Sequence, residues 1–172
     1  MAFQKTRYIT TSFPRCEAAM KKSPQEKKLE RLLQASKFSG CGFLGNDKRN
    51  LWEIIDEDAS ELAKAGKTPE QVAKRMRQLT DIGKKGLGDW VDAGHGLHVS
   101  VDDNRGMVPC PWPHHVRCLK RITMVKHVPT GSEMRWSDLN VHLVEQHAFF
   151  EGKGSRFRIE PRLLISVIFA EE

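Results

Sequence analysis

The chain has 172 residues, 39% hydrophobic and 29% charged, with a net charge of +6. That length supplies one good hydrophobic core and falls short of two, so a single domain over residues 1–172 is expected. A membrane protein is excluded as an expectation, because the longest apolar run, Leu163 to Ala170, is far below the roughly 20 residues a spanning helix needs.

The charge is concentrated at the start. Residues 1–40 carry nine Lys or Arg against three Glu, and the remainder is balanced at 19 against 19. Residues 1–22 read as a basic, partly flexible arm, and residues 1–40 as a stretch able to contact nucleic acid by releasing counterions from phosphates. Tyr8 and Phe13 stand nearly alone there, so base stacking has little to work with. The opening residues lack the apolar stretch of a secretory signal. The four cysteines, Cys16, Cys41, Cys110 and Cys118, are scattered with no CxxC pair. Both features point to free thiols in a reducing compartment, and to a cytoplasmic location.

Helices announce themselves in the first half. Ser23-Pro24-Gln25-Glu26 and Thr68-Pro69-Glu70-Gln71 each set a hydroxyl N-cap, a proline at the first helical position and a capping-box Glu or Gln. The first predicts a helix to about Phe38, the second a helix to about Lys85 with Gly86 as its stop. Between them, Asp47 or Asn50 caps a helix whose Leu51, Ile54, Ile55 and Leu62 recur at helical spacing until Gly66.

After Gly88 the period changes to two. Leu97, Val99 and Val101 alternate with polar residues, and Asp102-Asp103-Asn104-Arg105-Gly106 signals a turn leading to Met107 and Val108. Val116 to Val128 reads as a long strand with one buried face. Pro129-Thr130-Gly131 turns the chain, and Ser137 caps a helix over 138 to about 150. Phe157 and Ile159 suggest a short strand. The segment after Pro161 suits a helix or a buried strand. The fold class expected is α+β: an N-terminal helical layer, a small, mainly antiparallel sheet over 90–128, a buried helix near 138–150 and a C-terminal helix or strand.

Chemistry concentrates between Cys110 and Arg158. Cys110, Cys118, His142 and His147 are the right elements for zinc, and His-x4-His lies within finger spacing. Geometry weighs against that set, because on a regular helix His142 and His147 point about 140° apart and reach one ion only if the last turn distorts. Pairing Cys110 with His114 or His115, or His95 with His98, supplies two ligands at a time. His147 and His114 are retained as candidate metal ligands. Cys110-Pro111-Trp112-Pro113-His114 also fits a rigid loop that displays a thiol beside a histidine.

On the helix after Ser137, Asp138, His142 and Glu145 fall within about 60° of one another, between two apolar stripes. Carboxylates beside an imidazole can orient it as a general base. An enzyme, metal-assisted if zinc binds, would use His142 or His147 with Cys110, Asp138 and Glu145. The same stripe is equally compatible with a satisfied polar network.

The leading expectation is a domain that binds an anionic ligand. In Glu151-Gly152-Lys153-Gly154-Ser155-Arg156-Phe157-Arg158, two glycines free backbone amides, while Lys153, Ser155, Arg156 and Arg158 supply charge and a hydroxyl for a phosphate or carboxylate. The pattern is not a P-loop, since GxxxxGK[ST] is absent.

Overall fold

The structure, a computed structural model, describes residues 23–34 and 40–170. The basic arm of residues 1–22, Cys16 and residues 35–39 lie outside the described residues, so the arm's nucleic-acid reading stays an expectation. The architecture is α+β, as the periodicities imply. Among the described residues, five α-helices, α1 (Pro24–Leu33), α2 (Leu51–Lys64), α3 (Pro69–Gly83), α4 (Asp138–His147) and α5 (Pro161–Ile168), accompany a four-stranded sheet of β1 (Val91–Asp92), β2 (Leu97–Pro109), β3 (Arg117–His127) and β4 (Ser132–Ser137). The sheet is antiparallel throughout, in the order β1-β2-β3-β4. Among the described residues no helix is long and apolar enough to cross a membrane.

Four of the five helix starts obey cap chemistry; α5 begins at Pro161 with no side-chain cap. Ser23, Asn50, Thr68 and Ser137 each accept from the backbone amide of the third helical residue, whose side chain returns to the cap's own amide. Two of the orphan donors at each of these four starts are thereby satisfied within a few residues of sequence. The C-terminal segment resolves as a helix begun by Pro161.

Four local expectations are corrected. Asp102 to Gly106 is not a turn: β2 runs on to Pro109, and the register against β3 shifts between Asn104 and Met107. Arg105 and Gly106, the latter at φ 104°, are absorbed as a bulge, for which the same residue types are suited. The hairpin therefore turns later, at residues 110–116. β4 lies outside the 90–128 span expected for the sheet, and Phe157 and Ile159 form no strand. Finally, α4 stops at His147, short of residue 150, because Ala148 is left-handed at φ 49° and the Phe149 amide returns to the Leu143 carbonyl at 3.1 Å.

That stop sends adjacent phenylalanines to different places. Phe150 joins a core of Val72, Met76 and Leu79 from α3, Val99, Val125 and Trp136 from the sheet, and residues of α5. Phe149 joins a second core of Leu33, Leu44, Leu51, Ile54 and Cys110. α4 lies between the two and feeds both, Val141 and Val144 to the first and Leu139 and Leu143 to the second. Inside the first, Thr80 Oγ1 donates to the Met76 carbonyl, is 2.8 Å from the Thr123 hydroxyl and accepts from Trp136 Nε1, so these buried polar groups are partnered.

Candidate metal centre

Both halves of the candidate centre are placed by elements just described. The β2–β3 turn carries Cys110 and His114, and α4 carries His142 and His147. The turn is stiff because Pro111 and Pro113 fix two backbone angles, and the Cys110 amide donates to the Val116 carbonyl across its base at 2.9 Å. In α4, Val141, Leu143 and Val144 bury the helix on both sides of His142, fixing which direction the imidazole leaves it.

Cys110 Sγ and one ring nitrogen from each of His114, His142 and His147 all lie within 4.8 Å of one another. His114 Nε2 is at the middle: 2.9 Å from Cys110 Sγ, 3.3 Å from His142 Nε2 and 3.2 Å from His147 Nε2. Cys110 Sγ and His147 Nε2 are 3.6 Å apart. A tetrahedral zinc with bonds of about 2.0–2.1 Å to nitrogen and about 2.3 Å to sulfur sets its ligand atoms roughly 3.3 to 3.6 Å apart. Three of the four separations fall close to that range, and the fourth is shorter.

The sequence argument that His142 and His147 diverge is corrected by this geometry. Their ring centroids are 5.5 Å apart. Helical Cα–Cβ bonds tilt toward the N-terminus, so a histidine at the last helical position leans back over the preceding turns. His147 is held in that posture by Trp112, whose ring stacks on it at 4.1 Å between centroids and 12° between planes. Cys118 does not belong to the set: it packs against the second core. Nor does His115, which is exposed, nor the His95 and His98 pair. Cys110 is not displayed by its loop either, being 7% exposed.

Electrostatics favour the neutral forms of His142 and His147. Burial, reinforced by the neighbouring His114 and His142, holds His147 down to about 4, and burial together with His114 lowers His142. Burial raises the Cys110 thiol. Cys41, Cys110 and Cys118 are all free thiols.

The carboxylates expected to work with His142 are engaged elsewhere. Glu145 accepts from Arg77 Nη1 at 2.8 Å, and that guanidinium holds its carboxyl below the ordinary value. Asp138 accepts from Arg121 Nη1 at 3.2 Å. The shared stripe is real as helical geometry, yet the hydrogen bonds run outward to arginines on α3 and β3 rather than to the imidazole.

In the 151–158 loop, several of the groups expected to hold an anion have partners within the chain. The loop's glycines permit close packing on residues 43–47: a Cβ on Gly152 would stand 2.3 Å from the Leu44 carbonyl oxygen. The amides are consumed there, Gly152 donating to Phe43 O at 2.8 Å and Lys153 to Asp47 Oδ2 at 3.0 Å. Arg158 forms a bidentate pair with Asp58, at 2.5 and 2.7 Å, and donates to Glu151 O at 2.6 Å. Both side chains of that pair are buried, at 8% and 3% exposure. The Ser155 hydroxyl is bonded to Glu151. Lys153 and Arg156 are exposed, and the four expected anion ligands do not converge on one point as a set.

No protein-family model, curated protein or solved structure matches this chain.

Proposed function

We propose that this protein is a zinc-binding domain whose ion is held by Cys110, His114, His142 and His147 and is part of the fold. The observation that carries the reading is the mutual approach of one sulfur and three imidazole nitrogens within 4.8 Å. In the absence of a cation such a cluster is poorly satisfied. One proton bridges one pair of atoms, and the remaining lone pairs of the three nitrogens face each other across 3.2 and 3.3 Å. A divalent cation at the centre turns those repulsions into four bonds.

Donor chemistry narrows the cation. One thiolate with three imidazoles in near-tetrahedral array suits zinc better than the oxygen-seeking magnesium or calcium. Four protein donors fill a tetrahedral shell, the arrangement of structural sites, whereas catalytic zinc keeps one position for water or substrate. Asp138 is engaged with Arg121 and Glu145 with Arg77, so among the described residues no carboxylate is bonded to a ligand histidine. Both features favour a structural ion over the metal-assisted enzyme. The ion would fasten the β2–β3 turn to α4, two segments otherwise joined at this place by the Trp112 stack and the packing of Phe149 against it.

Metal analysis of protein purified without added metal, followed by cobalt replacement, tests the reading. One equivalent of zinc is expected, and the cobalt form should show tetrahedral ligand-field bands with a thiolate charge-transfer band that Cys110→Ser removes. Absence of stoichiometric metal after zinc is supplied, or an unchanged spectrum in the serine variant, would overturn it.

A further inference from the structure

A second site rests on different residues. Between the turn at 40–43, the bulged part of the β2–β3 hairpin, the start of α4 and the 151–157 loop lies an open cleft of about 870 Å³. That is within the size range of small-molecule sites. Its walls include Phe43, Val108, Leu119, Leu139 and Phe157, an apolar lining. Around them stand four cations, Arg105, Lys120, Arg121 and Arg156, with Glu151 as the one acidic side chain lining the cleft.

The charges are unbalanced. Among the described residues, Arg105, Lys120 and Arg156 form no ion pair. Glu151 is 3% exposed and already accepts from Asn140 Nδ2 at 2.7 Å and from the Ser155 hydroxyl, so its oxygens are committed inward. Arg121 uses its terminal nitrogens on Asp138 and Asp103, each at 3.2 Å. Its Nε is left over: it is the one buried side-chain nitrogen or oxygen without a hydrogen-bond partner among the described residues. That atom is shielded by the protein and the guanidinium is already paired, so the cleft's uncompensated charge is that of Arg105, Lys120 and Arg156.

We infer that this cleft binds an organic anion: an apolar acyl or aryl body lies against the hydrophobic wall, and its carboxylate or phosphate head is held by Arg105, Lys120 and Arg156. Two residues singled out in the 151–158 loop, Ser155 and Arg156, line this cleft. Lys153 and Arg158 line a separate, smaller one with Asp58 and Glu160. The anionic chemistry of the loop is thus divided, and the half that faces the cleft is completed by the hairpin.

The full, zinc-loaded chain is titrated with decanoate and with phenyl phosphate, while amide shifts of residues 104–108, 119–122 and 155–157 are followed by nuclear magnetic resonance. Decanol and inorganic phosphate are the arms lacking the charge or the body. Saturable shifts at those residues with one or both amphiphilic anions are expected, and the stronger of the two identifies the head group. Decanol and inorganic phosphate should bind at least about tenfold more weakly, and Arg105→Gln with Arg156→Gln should weaken the anions by a similar factor. Both arginines are exposed, so the double variant is expected to fold; Lys120→Gln is the second variant. Equal binding of decanol, equal binding of inorganic phosphate, no shifts at the cleft, or undiminished affinity in both variants would each overturn the inference.

Discussion

Trp112 lies flat on His147, 4.1 Å between ring centroids, and its ring also meets that of Phe149 at 5.4 Å. The indole therefore joins a proposed zinc ligand to the second hydrophobic core. It fixes the ring plane of His147 in the way outer-shell groups orient metal ligands. Trp112→Leu keeps apolar bulk and loses the stack, so zinc affinity should fall by about tenfold or more. Competition with a chromophoric chelator measures this, and unchanged affinity would remove Trp112 from the site.

Acid should destabilise the metal-stripped protein through His147. Its folded value is held at about 4, below the ordinary 6.5, so the unfolded chain binds more protons between those limits. Stability from this group is complete above pH 6.5 and is lost as the pH falls toward 4. The melting temperature should drop over that window, and the drop should be shallower in His147→Gln. A melting temperature that rises on acidification over the same window would contradict the assignment.

Asp58 and Arg158 are both buried and bidentate, which makes the pair unforgiving of single changes. Arg158→Met leaves a buried carboxylate alone and should cost about 3–5 kcal/mol, whereas adding Asp58→Leu should restore much of it. Denaturant midpoints for the three variants decide the matter. A loss under about 1 kcal/mol for Arg158→Met would place the arginine among ordinary surface cations.

Gly152→Ala should destabilise the protein by about 1–3 kcal/mol, since the new methyl meets the Leu44 carbonyl oxygen at 2.3 Å. The glycine's role is then close packing of two loops, and anion binding in the neighbouring cleft should survive in the folded fraction. Unchanged stability would mean that residues 43–47 shift without cost.

Much of the fold was legible in the sequence because its signals are local. Ser23, Asn50, Thr68 and Ser137 satisfy amides three residues away, so the cap and its helix are visible in one short window. Alternation likewise predicts β3 to within one residue at each end. Cys110, His114, His142 and His147 were each identifiable as metal-ligand types, as the pairs Cys-x3-His and His-x4-His. Joining the two pairs was the missing step, and Cys118 took a place that belongs to His114.

That step depends on distances the sequence does not encode locally. Asp-Asp-Asn-Arg-Gly suits a turn or a bulge equally, and pairing with β3 decides for the bulge, which carries β2 on to Pro109 and puts Cys110 and His114 at the hairpin end. The left-handed Ala148 and the Trp112 stack then set His147 beside them. In the glycine loop, chain composition advertises free amides, but residues 43–47, more than a hundred positions earlier, consume them. Backbone donors and acceptors must be paired when buried, and which partner they find is a property of the packed whole.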